Sequence, residues 1–185
     1  MGPNGLEYTL YVGGDESNHG DRSRAEIDVA TFSRLEEDSI LRKFPNRRDY
    51  DKLDIWLNRS DRTYLFAFLS SEAHRSHGLN LPVSIPDLLT LFLAKLTTPP
   101  TSIQIFLDGQ IPQRRLKSMA EVISRFYSGE VEISTYTKKR KNAKGNMRKG
   151  PTCPAVVYYA DVLAARLNDS TAGNLFQHPN FAFIR

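Results

Sequence analysis

Apolar residues change their period several times along the chain, and each change marks a predicted element. Tyr8 to Gly13 is aliphatic, aromatic and β-branched and stops at Gly13-Gly14, a strand running into a turn. From Ala25 to Phe32, Ile27, Val29 and Thr31 alternate with Glu26, Asp28 and Ala30, the period of two of a strand with one wet face. The polar link between them, Ser17 to Arg24, suits a hairpin loop. Leu35 to Arg59 is charged and irregular, and its apolar cluster Ile55-Trp56-Leu57 is compatible with a short helix against the core. Thr63 to Leu69 is almost unbroken in its apolarity, which predicts a third strand buried on both faces.

The second half reads as alternating helices and strands. Pro86 suits a first helical turn, and Leu88, Leu89, Leu91, Phe92, Leu93 and Leu96 follow before the breaker Thr97-Thr98-Pro99-Pro100. Ser102 to Leu107 is a fourth strand ending at Asp108-Gly109. Pro112 starts a helix carrying Leu116, Met119, Val122, Ile123 and Phe126 at helical spacing, and Gly129 closes it. Glu130 to Thr135 alternates as a fifth strand, and after a polar loop Pro154 opens a last helix through about Leu167. The order is β-β-β-α-β-α-β-loop-α. Three strands joined by short links favour an antiparallel meander, whereas the later β-α-β unit demands a parallel crossover. The expectation is an α/β fold with a mixed five-stranded sheet flanked by helices, in one domain over residues 1–185.

Composition fits that reading: 40% of residues are hydrophobic and 25% charged, the balance of a globular chain. The longest strongly apolar stretch, Ile85 to Leu96, is interrupted by Pro86, Asp87 and Lys95 and falls short of the ~20 residues that span a bilayer. Met1 to Gly5 has neither a basic nor an apolar leader region, so a cytoplasmic protein without membrane attachment is expected. Cys153 is the only cysteine, which excludes an internal disulfide and a multi-thiolate zinc site.

Charge adds a feature that the apolar pattern does not show. Lys138, Lys139, Arg140, Lys141, Lys144, Arg148 and Lys149 fall together with no acid among them. These seven charges exceed the net +4 of the chain and leave the remainder at −3. With Gly145 and Gly150 and little to bury, residues 138–150 are expected to form a flexible basic loop that holds a nucleic-acid backbone. A solvated loop or a localisation signal is the alternative. Arg114, Arg115 and Lys117 on the preceding helix could extend the patch.

Three acids stand where chemistry gathers. Asp161 has Val157, Tyr158, Ala164 and Ala165 one turn away on either side, so a lone carboxylate interrupts an apolar stripe. Such a group costs several kcal/mol unless it is compensated. A distant Arg or an exposed helix edge would also account for it. Asp108 ends a central strand, the edge where sites in open α/β sheets lie, although Asp-Gly turns are common. Asp15 and Glu16 follow Gly13-Gly14. Pairing the first and fourth strands at the centre of the sheet brings the Asp15 and Asp108 ends together, and the final helix can present Asp161 to the same edge. Converging carboxylates repel unless a hard cation joins them, and oxygen-only donors favour Mg²⁺ or Mn²⁺.

These features carry a resemblance. The element order, Gly13-Gly14-Asp15-Glu16-Ser17, Ile105-Phe106-Leu107-Asp108 and Ala160-Asp161-Val162-Leu163-Ala164 together resemble the ribonuclease H-like superfamily. They look closest to its largely uncharacterised branch that opens with Asp-Glu-Ser. The resemblance spans about Tyr8 to Leu167 and implies a metal-dependent nuclease using two Mg²⁺ or Mn²⁺ ions. It implies Asp15 as the shared ligand, Asp108 as the second and Asp161 as the helix-borne third. Many members carry a fourth acid on the first main helix; Asp87 is the candidate here, and Glu16 could substitute. Where the branch shows Gln-x-Ala-Asp, this chain has Tyr158-Tyr159-Ala160-Asp161.

His74 and His77, after the third strand beside Glu72, could shuttle protons or lie in a solvated loop, and no base is placed beside Ser17 to activate it. Two other classes stay open: a catalytically silent nucleic-acid-binding module on the same fold, and a small-molecule phosphotransferase. The second would need a richer phosphate cradle than Gly13-Gly14.

Overall fold

The opening apolar run forms β1 (Thr9–Glu16), which continues through both glycines instead of turning at them. A Cβ on Gly13 would lie 2.3 Å from the backbone of Val156, and one on Gly14 would lie 2.7 Å from Leu107 and 2.8 Å from Ile85. The glycines therefore serve close approach by neighbours on both faces of the strand, not a reversal of the chain. The computed structural model describes residues 7–17, 25–43, 50–69, 81–136, 152–169 and 175–182.

The chain continues through β2 (Glu26–Ser33), a 3₁₀ turn (Glu36–Asp38), β3 (Leu41–Lys43), α1 (Tyr50–Leu57) and β4 (Arg62–Leu69). Then come α2 (Leu81–Leu93), β5 (Ser102–Asp108), α3 (Gln113–Ile123), β6 (Glu130–Tyr136), β7 (Thr152–Pro154), α4 (Ala155–Asn168) and β8 (Phe181–Ala182). Among the described residues the main sheet has six strands in the order β6-β5-β1-β2-β4-β8, and β3 pairs with β7 in a separate ribbon. The β1-β2-β4 meander is antiparallel, and β1, β5 and β6 are parallel, the mixed sheet anticipated from the pattern. The extra strand, β8, is two residues long, too short to leave a periodic signal.

Two local expectations change. Strand β2 has no wet face: all eight of its residues are buried, because helices cover both sides of it. Helix α2 begins at Leu81, with Pro86 inside it. Pro86 stands in the second turn, where it forgoes the helical bond to the carbonyl of Pro82.

Each sheet face packs its own core. Leu10, Val12, Ala30, Phe32, Ile105 and Leu107 meet α2 and α3 on one side. On the other, Tyr11, Val29, Phe66 and Phe106 meet α4, ten of whose residues are buried. Helix α4 rests directly on β1 at Gly13, where the Thr31 hydroxyl donates to the carbonyl of Val156 at 2.8 Å. That contact fixes the helix against the two central strands.

Candidate functional site

Strand alternation and register place the acids. Tyr11 and Gly13 face α4, so Asp15, in phase with both, faces α4 as well. In β5, Phe106 faces α4, and so does Asp108. The parallel register aligns Gly14 with Leu107, which sets Asp15 and Asp108 side by side at the carboxyl ends of adjacent central strands. Asp161 lies on α4, the helix that packs on this face, and is 7% exposed. That burial removes the exposed-edge explanation for it. Asp15 and Asp108 are buried too, at 0% and 8%. One oxygen of Asp15 accepts the backbone N–H of Glu16 at 2.8 Å. All three offer hard oxygen donors withdrawn from water, the chemistry that suits Mg²⁺ or Mn²⁺, but they are not among the described acids whose oxygens lie within 4.8 Å of one another.

Glu16 points the other way. It shares the α2 face with Val12 and Gly14, and its antiparallel partner in β2 is Asp28. Glu16, Glu26 and Asp28 each present a carboxylate oxygen within 4.8 Å of the others, a tight acidic set among the described residues. The Ser84 hydroxyl on α2 donates to Asp28 Oδ2. Burial pushes the Asp28 carboxyl well above the usual range, and the charges of Glu26 and Glu16 and a side-chain hydrogen bond with Glu26 push it further in the same direction, while the Ser84 bond opposes them. Sequence reading missed Glu26 and Asp28 because their alternation with Ile27 and Val29 imitates a solvated face.

Other candidates separate by position. Asp87 sits half-buried on α2, with burial raising its pKa, and does not belong to either group. Ser17 closes the β1-β2 connection by accepting the N–H of Ile27 and donating its own N–H to the Ile27 carbonyl, each at 2.9 Å, a structural duty. Arg114 and Lys117 project into solvent from α3, and Arg115 is partly covered. Glu72, His74, His77 and the basic run from Lys138 to Lys149 lie outside the described residues.

This architecture is the ribonuclease H-like fold. The structure is similar to RNase HII in the PCNA:RNase HII complex from Archaeoglobus fulgidus, with TM-score 0.51, 12% identity, and 94% of this chain and 82% of that one covered. It is also similar to ribonuclease H2 from Pyrococcus horikoshii OT3, with TM-score 0.46, 14% identity, and 94% and 81% covered. No protein-family model and no curated protein matches the sequence. Among the described residues no helix is long and apolar enough to cross a membrane.

Proposed function

We propose that this chain is a metal-dependent nuclease that hydrolyses phosphodiester bonds of nucleic acid, with Asp15, Asp108 and Asp161 holding two Mg²⁺ or Mn²⁺ ions. The observation that carries the reading is the β1-β5 register, which aligns two buried carboxylates on the face that α4 covers. Ions bound there would polarise the scissile phosphate and lower the pKa of the attacking water. The chain's own part is to hold ligands in place: the register fixes Asp15 against Asp108, and the seat of α4 on Gly13 fixes the helix that carries Asp161. The Archaeoglobus neighbour is an RNase HII by name, and the shared fold is compatible with that chemistry without requiring it.

Incubating the chain with labelled RNA, DNA and hybrid duplex, in Mn²⁺ and in chelator, tests the proposal. Cleavage should require the metal, and Asp108→Asn should reduce it to background while the chain still unfolds cooperatively. Asp108→Asn activity within a few-fold of the parent would sink the assignment. Metal-independent binding with no cleavage would instead identify a silent nucleic-acid-binding module.

Substrate affinity is assigned to Lys138, Lys139, Arg140, Lys141, Lys144, Arg148 and Lys149. Replacing the first four by Ala should weaken binding to every sequence alike. The slope of log K against log salt should become shallower by about 0.7–0.9 for each phosphate that is no longer neutralised. An unchanged slope would move the binding surface to the Arg114–Lys117 helix.

A further inference from the structure

We infer that Glu16, Glu26 and Asp28, with Ser84 beside them, form a second cation site on the α2 face of the sheet, back to back with the α4-face acids and built for a hard divalent ion. Three oxygens mutually within 4.8 Å match one coordination sphere. Ligand bonds of about 2.1 Å for Mg²⁺ and about 2.4 Å for Ca²⁺ put donors on opposite sides of one ion about 4.2–4.8 Å apart.

A separate observation points to a missing ligand. Asp28 is completely buried, and its Oδ2 accepts the Ser84 hydroxyl, yet its Oδ1 has no hydrogen-bond partner. A buried carboxylate oxygen left in that state costs about 1–3 kcal/mol or more, and an ion seated among the three acids would satisfy it. The acid set is also held rigidly: Glu16 and Asp28 are register partners, and Glu26 shares a face and a strand with Asp28. Ser84 supplies a further hard oxygen from α2, so a bound ion would tie β1, β2 and α2 together. A structural ion at this end of β1 would brace the strand that carries Asp15 without sharing a ligand with it.

The test uses Mn²⁺ alone, without nucleic acid, so it stands apart from the nuclease reading. In an Asp108→Asn background, which weakens the α4-face set, Mn²⁺ should still raise the melting temperature. Electron paramagnetic resonance should count one tightly held ion. Adding Asp28→Asn should abolish both signals, and adding Glu26→Gln should weaken the apparent affinity at least ten-fold; if the Asp28 variant does not fold, the Glu26 variant decides. An Mn²⁺ response absent from the Asp108→Asn chain, or unchanged by the substitutions at Asp28 and Glu26, overturns the site.

Discussion

Asp38 and Asp28 are both buried acids beside β2, and their surroundings are opposite. Asp38, 2% exposed, accepts the Ser33 hydroxyl at 2.6 Å, Trp56 Nε1 at 3.2 Å, and Arg62 through Nε at 2.7 Å and Nη2 at 2.8 Å. Its charge is matched by a guanidinium that is itself buried and stacked over Trp56. Asp28 faces two more carboxylates and a single hydroxyl. The contrast teaches that burial alone does not mark a functional acid. A carboxylate with a fork of donors and a matching cation holds the fold together, whereas burial and the neighbouring carboxylates raise the proton affinity of Asp28.

The sharpest way to break that comparison is to remove the satisfied acid. Asp38→Ala leaves Arg62 buried and uncompensated and should cost about 3–5 kcal/mol in urea unfolding. A loss below about 1 kcal/mol would mean that the ion pair is a surface bridge in solution.

Gly13→Ala should cost about 2–3 kcal/mol, because its methyl group would fall 2.3 Å from the Val156 backbone and push α4 off β1. The same change should lower metal-dependent cleavage, since the helix bearing Asp161 moves with it. Wild-type stability would show that α4 is not seated on that glycine.

The smallest effect carries the opposite sign. The Asp28 carboxyl titrates well above its unfolded value, so over the interval between the two the native state binds the extra proton and stability falls as pH rises. In chelator, Asp28→Asn should therefore melt higher than the parent at neutral pH, with the gain shrinking as pH falls toward about 4, where the unfolded carboxyl also takes up its proton. A destabilised variant with no pH trend would place Asp28 among the satisfied acids.

Much of the architecture was legible in the sequence, because strand runs and helical stripes are local patterns. The β1-β2-β4 meander, the β5-α3-β6 crossover and the Pro154 start of α4 follow from them. What escaped depends on the far side of the chain. Whether β2 has a wet face is decided by α2, more than fifty residues later, and so Glu26 and Asp28 passed for a solvated edge. Gly13-Gly14 looked like a turn because glycine permits both turns and close approach, and only the positions of Val156, Leu107 and Ile85 tell them apart. The acids proposed as ligands on the α4 face carry local signals: Asp108 ends a strand, and Asp161 breaks an apolar stripe. That Glu16 turns away from Asp15 follows once β1 is known to continue as a strand through both residues.

The central claim, that Asp15 and Asp108 share a metal, can be tested by soaking crystals of the chain in Mn²⁺ and recording anomalous differences at the manganese edge. The account predicts a peak within about 2.0–2.4 Å of carboxylate oxygens from both Asp15 and Asp108, on the α4 face of the sheet. A fully occupied manganese elsewhere with no density between those two residues, or no bound manganese at all, would contradict it.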